Sequence, residues 1–352
     1  MNPVRKESSL RISMVSFIAA ILVVSIHIPI TSTRGCSWFL EHLIGTYIAQ
    51  IAVPFFFVVT GYFLGVEKTD SVVLGYSTAI RKRVQTILLP YLFWCIVLCC
   101  SMNLIVVLAN VFHSKPLMRN VDFNFFHVFG LSWRVNPPQP LWYLRAIMFY
   151  LLILPIFRLL SRTKFSIVLV FIFLVAIEPR IRLFVRDSTD MQTIFFFTLA
   201  PLNLFSFMLG LHLRSNHYSA SKSKGFSLIV LSVGVLLMFG RTLIAYNSIP
   251  ISDFSRQLFM WSSIWLTLWG LWCVCPTKPL PTWLRSQAFP IYLMHGLFLV
   301  VPYAAKSMMP IYGECIVTFI LCIVIGTSGS IILSTLMRRF FPRFARFVFG
   351  GR

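Results

Sequence analysis

From Ile12 to Thr31 the chain carries no charged residue. About twenty apolar residues suffice to cross the hydrocarbon of a bilayer as a helix. Nine more apolar runs follow, at Ile44–Leu64, Thr86–Phe112, Leu141–Phe157, Phe165–Ile177, Gln192–Leu213, Phe226–Tyr246, Gln257–Cys275, Gln287–Ala305 and Ile311–Leu336. In lipid each backbone amide must find its partner within the protein, which makes such runs helices. Only 12% of the residues are charged and 58% are apolar, whereas a soluble domain carries about 25% charged residues. This balance argues against a soluble enzyme, a disordered chain and a disulfide-built secreted scaffold. The chain reads as an all-α polytopic membrane protein. Arg5, Lys6 and Arg11 ahead of the first run resemble the start of a signal peptide, but no small-x-small cleavage site follows, so the first helix is expected to be retained.

A net charge of +21 would suggest nucleic acid in a soluble protein. In a membrane protein it reflects Lys and Arg gathered in cytoplasmic loops, and no nucleic-acid partner is expected. The same rule settles the doubtful fifth run, only thirteen residues long at Phe165–Ile177. With ten crossings and an inner N-terminus, the inner segments hold twenty basic and three acidic residues and the outer segments ten and seven, Arg145 being placed within a span. Nine crossings would put the basic tail from Arg338 onward outside. The expectation is therefore about ten transmembrane helices with both termini cytoplasmic, in a multi-pass protein of the cell membrane. Residues 1–352 form one transmembrane domain on this reading, since the longest loops, His113–Pro140 outside and Gly65–Gln85 inside, are too short for a separate soluble core.

The eight cysteines form no framework. Cys95, Cys99, Cys100, Cys315 and Cys322 fall in apolar runs, Cys273 and Cys275 are spaced C-x-C, and no Cys/His group has zinc spacing. Buried thiols and no metal are expected. Ionisable residues inside spans are costly and mark function by default. Three stand out: His27 deep in the first run, Arg145 after Leu141-Trp142-Tyr143-Leu144, and His295 after Ile291-Tyr292-Leu293-Met294. His212, closing the sixth run, reads as a solvated end residue. A single histidine in a helix is ordinarily a neutral imidazole bonded to a neighbour. Two histidines and an arginine in an otherwise charge-free bundle suggest a polar cavity, although Arg145 could instead snorkel to the surface.

Five stretches carry a family resemblance. They are IAAILVVSIH ending at His27; VPFFFVVTGYFLG from Val53 to Gly65, with Thr60 in place of a serine; RKRVQTILLPYLFW from Arg81 to Trp94, matching R-x6-P-Y through Arg83, Pro90 and Tyr91; PLWYLRAIMFYLLILPIF from Pro140 to Phe157; and FPIYLMH from Phe289 to His295. In this order they resemble the acyltransferase-3 family, multi-span membrane acyltransferases that decorate surface polysaccharides and lipids. One position departs from the pattern. The arginine usual eleven residues before the first-helix histidine is Ser16 here, and Arg11, five residues earlier, lies about 140° around the helix from it.

The resemblance implies acyl transfer to a hydroxyl of a surface polysaccharide or lipid-linked sugar, probed from the cytoplasm by an acyl-CoA donor, acetyl-CoA in the simplest case. Such transfer needs a base at the hydroxyl and stabilisation of the oxyanion. His27 is the first candidate base, since imidazole titrates near neutral pH, and His295 and Arg145 complete the catalytic candidates. Arg83, favoured by the motif, with Arg81 and Lys82 beside it, can meet the donor's phosphates, while Arg81 and Lys82 also read simply as topology signals. Trp142, Tyr143 and Tyr292 are the substrate-side candidates, expected to line the acceptor side with Arg145 and His295. No G-x-S-x-G pattern is present, which favours direct transfer over a serine-linked intermediate. The alternatives are a transporter or flippase of a polysaccharide precursor, for which the sequence displays neither repeated halves nor broken spans, and a structural subunit of a polysaccharide assembly complex.

Overall fold

A computed structural model describes residues 3–30, 32–67, 70–112, 141–186, 200–216, 223–308 and 316–351. Among these the regular structure is all helical. In chain order the α-helices are α1 (Pro3–Ile26), α2 (Gly35–Glu41), α3 (Ala52–Leu64), α4 (Tyr76–Arg83), α5 (Leu89–Phe112), α6 (Trp142–Leu152), α7 (Leu154–Leu160), α8 (Lys164–Arg186), α9 (Pro201–Ser215), α10 (Lys224–Tyr246), α11 (Asp253–Val274), α12 (Thr282–Arg285), α13 (Ala288–Met308), α14 (Ile316–Phe340) and α15 (Pro342–Val348). A π-helix, His42–Ile48, and a 3-10 turn, Ala49–Ile51, join α2 to α3, and a second π-helix, Val84–Leu88, joins α4 to α5. Among the described residues five helical stretches are long and apolar enough to cross a membrane, and six if α6 and α7 count as one bent span.

Several boundaries differ from the apolar runs, each for a local reason. Pro29 cannot continue a helix and restricts the residue before it, so α1 stops at Ile26 and His27 lies one residue past its end. The third run starts earlier than hydropathy indicates. Tyr76–Arg83 is helical and leads through the π-turn into α5, which removes much of the expected Gly65–Gln85 loop. The His113–Pro140 loop lies outside the described residues. In the fourth run the chain breaks at Ile153, ahead of Pro155 in the first turn of α7, and turns by 78°. At eleven residues, α6 is about 16 Å long and does not cross a bilayer alone. The fifth run is part of a 23-residue helix that passes through Glu178, Pro179 and Arg180. Arg241, counted above with the outer segments, is buried inside α10.

The bundle closes through small residues. A Cβ on Gly61 would stand 2.0 Å from the Phe207 carbonyl oxygen of α9, and one on Gly210 would stand 2.0 Å from the Val58 oxygen of α3. This mutual approach, characteristic of packing between membrane helices, fixes α3 against α9. One end of the bundle gathers arginines whose guanidinium groups bond backbone oxygens. Arg11 Nη1 donates to the Trp272 carbonyl at 3.1 Å, in the last turn of α11. Arg338, near the end of α14, bonds Ser286 just ahead of α13. Arg158 donates to the Leu64 carbonyl from Nε at 3.0 Å and from Nη2 at 2.6 Å, and its Nη1 reaches the Val72 and Leu74 carbonyls at 2.8 and 3.0 Å. Arg162 bonds the Asp70 carbonyl. These contacts tie α7 to the segment that follows α3. At the same end α15 lies against α5, with Trp94 Nε1 donating to the Val348 carbonyl at 2.9 Å.

Candidate active site

His27 and His295 come together although 268 positions separate them in the chain. Their ring centroids are 5.1 Å apart and the planes are tilted by 32°. His27 is half-buried just beyond α1, with its amide bonded to the Val24 carbonyl at 3.1 Å, and the negative end of the helix dipole lies beside it. The loop after it is pinned by Ser32, whose hydroxyl donates to the buried Glu41 carboxylate at 2.6 Å. His295 is fully buried. Its Nδ1 is 3.0 Å from the Ile291 carbonyl oxygen, and a carbonyl only accepts, so Nδ1 carries the proton and Nε2 keeps its lone pair. That Nε2 has no hydrogen-bond partner among the described residues.

Tyr292 lies on the same face of α13 three residues earlier, about 4.5 Å lower along the helix. Its ring meets Tyr143 edge-on at 5.7 Å. Tyr143 is the junction of four elements. Its hydroxyl donates to the Phe56 carbonyl at 3.0 Å, which leaves its oxygen to accept from Thr60 Oγ1 at 2.7 Å. Its ring packs on Phe57 at 4.8 Å, and Phe57 in turn packs on Trp142 at 6.2 Å. The Arg83 guanidinium lies within electrostatic reach of Tyr143 and has no hydrogen bond or ion pair among the described residues. Arg145, half-buried, lies within reach of Tyr91 and Cys95, and these two are also within reach of Tyr292. Tyr143, Tyr292, His295 and His27 therefore follow one another through two ring contacts and one turn of α13, with the Arg83 guanidinium within electrostatic reach of Tyr143.

This arrangement corrects part of the sequence reading. Tyr143 sits against Thr60, four residues from the end of α3, because the short helix α6 begins midway and leads directly to the bend at Ile153. Arg81 and Lys82 are exposed, and only Arg83 turns inward. Arg11 is committed to the Trp272 carbonyl and does not stand in for the arginine missing at Ser16. His212 is buried, with Nδ1 2.7 Å from the Ser161 carbonyl oxygen, so it is no solvated end residue. Cys36 and Cys100 are exposed while Cys95, Cys99, Cys275 and Cys322 are buried; Cys315 lies outside the described residues. Nor is the interior otherwise charge-free. Glu178 accepts from Trp261 Nε1 at 2.9 Å in a buried contact, and Arg241 is buried as well. Both were legible as ionisable residues at the edge of an apolar run.

Residues 12–339 match the model of an acyltransferase domain, Acyl_transf_3. The chain belongs to the acyltransferase-3 family. The matched segment contains all five motif stretches, which the fold brings to α1, α3, the α4–α5 junction, α6 and α13. Membership supports a membrane-embedded acyltransferase with an acyl donor and an acceptor. No curated protein and no solved structure matches the chain.

Proposed function

We propose that this acyltransferase-3 member is an O-acyltransferase that carries an acyl group, acetyl in the simplest case, from cytoplasmic acyl-CoA to a hydroxyl of a surface polysaccharide or lipid-linked sugar. The observation that carries the reading is the line of side chains from Arg83 past Tyr143 and Tyr292 to the His295–His27 pair. Such a line offers a cation to the donor phosphates, aromatic walls to the acyl-bearing arm and a base at its far end. His27, the more open imidazole, takes the proton of the attacking hydroxyl. His295, its ring centroid 5.1 Å from that of His27, stands beside it as a positioning residue. As the hydroxyl oxygen bonds to the thioester carbon, the C–S bond breaks and the proton passes from His27 to the departing CoA thiolate. Arg145, half-buried within reach of Tyr91 and Cys95, is the cation assigned to the oxyanion on this reading.

The proposed topology is ten crossings in a single domain spanning the chain, with the arginine-rich end of the bundle in the cytoplasm of a cell membrane. The charge surplus of the inner segments supports it. Reporter fusions after Gly65 and after Arg343 are expected to read cytoplasmic, and an external reading at Arg343 would overturn the ten-span parity.

The 78° break between α6 and α7 is the one feature that favours a transporter or flippase, since those proteins use interrupted helices at their sites. Purified protein in detergent, supplied with acetyl-CoA and a saccharide acceptor, separates the readings. Acceptor-dependent release of free thiol is expected, and acceptor translocation without thiol release would remove the acyltransferase reading.

A further inference from the structure

At the opposite end from Arg11 and Arg83, the turn between α10 and α11 covers a cavity of about 450 Å³ whose walls include Tyr47, Arg241, Ser248, Pro250, Arg256 and Phe259. Arg241 is only 9% exposed. Its Nη1 donates to Ser263 Oγ at 3.0 Å and its Nη2 to Gln50 Oε1 at 2.9 Å, and its guanidinium lies over the Tyr47 ring at 4.7 Å. Every partner that the described residues give it is neutral. A buried guanidinium held by neutral groups keeps its full charge, and an uncompensated charge at this depth is costly unless something else meets it. Arg256 adds a second guanidinium to the wall. Its contact with Asp253, at 3.8 Å, is solvent-exposed and therefore weak. No carboxylate lines the cavity. Two cations, a phenol and an aromatic face around a space of this size suit a small ligand with one negative charge.

The segment that supplies one wall of the cavity also touches the end of α1. Tyr47 and Gln50 belong to the π and 3-10 segments between α2 and α3. Gly45 of the same π-helix faces the other way, where an added Cβ would stand 3.2 Å from the Ser25 carbonyl oxygen, two residues before His27. π-Helical turns of this kind recur at functional sites.

We propose that the cavity binds an anionic group, a carboxylate or a phosphate, of the saccharide acceptor, so that the acceptor is an acidic or phosphorylated sugar held by Arg241 and Arg256. The assignment of the ligand as acceptor rests on the O-acyltransferase reading; the site itself does not.

Binding is measured on the full chain in neutral detergent without acetyl-CoA, using glucuronate, glucose 1-phosphate, inorganic phosphate and glucose as probes. Glucuronate or glucose 1-phosphate is expected to bind, and glucose to bind about tenfold more weakly or not at all. Arg256→Gln, on an exposed first turn, is expected to weaken the anionic sugar by about tenfold, and Arg241→Gln by more. Arg241→Lys keeps a cation and serves if Arg241→Gln does not fold; it should retain part of the affinity. Equal binding of glucose and glucuronate, or unchanged affinity in Arg256→Gln and Arg241→Lys, overturns the site. Binding of inorganic phosphate but of neither anionic sugar overturns the saccharide ligand. Displacement of the sugars by phosphatidylglycerol but not phosphatidylcholine in nanodiscs overturns it too, in favour of a lipid headgroup. Because binding is read without donor, absence of thiol release would refute acyl transfer and leave this result standing.

Discussion

Replacing His27 by alanine is expected to lower acyl transfer by roughly two to four orders of magnitude, the usual share of a positioned base, while the protein still accumulates in the membrane. The imidazole is half-buried beyond the end of α1, so its loss opens little packing, and Pro29 stops the helix whether or not it is present. Initial rates of thiol release with purified variant and saturating acetyl-CoA measure the effect. His295→Ala is the companion variant. If His295 only positions His27, its loss lowers kcat and alters the pH profile, and His295→Asn, which retains a side chain able to donate to the Ile291 carbonyl, recovers part of the rate. A His27→Ala protein that transfers at near wild-type rate would refute the assignment and make His295 Nε2 the base.

Arg83→Ala is expected to raise the donor KM by roughly ten- to a hundredfold with a smaller change in kcat, as for a residue that binds donor and transition state alike. A charge-assisted contact to phosphate contributes about 1.5–3 kcal/mol, which sets that range. Arg81→Ala and Lys82→Ala, both on exposed positions of α4, are the controls and should change the donor KM far less. Steady-state titration of acetyl-CoA distinguishes the three. A flat response to Arg83→Ala would move the donor phosphates elsewhere on the basic end.

What the residues disclosed and what they hid follow from the kind of signal involved. Hydropathy reports how long an apolar run is, and every run carries helix over its described residues. It does not report where along the bundle a helix begins. The contact of Tyr143 with Thr60 follows instead from the Pro155 break and the short length of α6. The pairing of His27 with His295 rests on packing between α1 and α13, which no local pattern encodes; motif resemblance selected both residues and left their contact unstated. Arg241 escaped notice because an arginine close to the end of an apolar run looks like a loop charge. Its burial depends on Ser263 and Gln50 arriving from two other segments. Glu178 was passed over for the same reason, the run having been closed one residue before it.

The backbone bonds of Arg158 turn the bend after α6 into a ruler. A spanning helix can tilt to suit its bilayer, but α6 is too short to be gauged by lipid on both sides, and its lower end is clamped through α7 to the carbonyls of Leu64, Val72 and Leu74. The height of Tyr143 above the arginine-rich end of the bundle is thereby a property of the protein. On the proposed reading, a donor is measured from that edge: its phosphates set the zero at Arg83, and the length of its arm decides whether the thioester arrives at the histidines. A thioester without the nucleotide has no zero from which to be measured, so the same acyl group carried on a short thiol would never be held in register with the histidines.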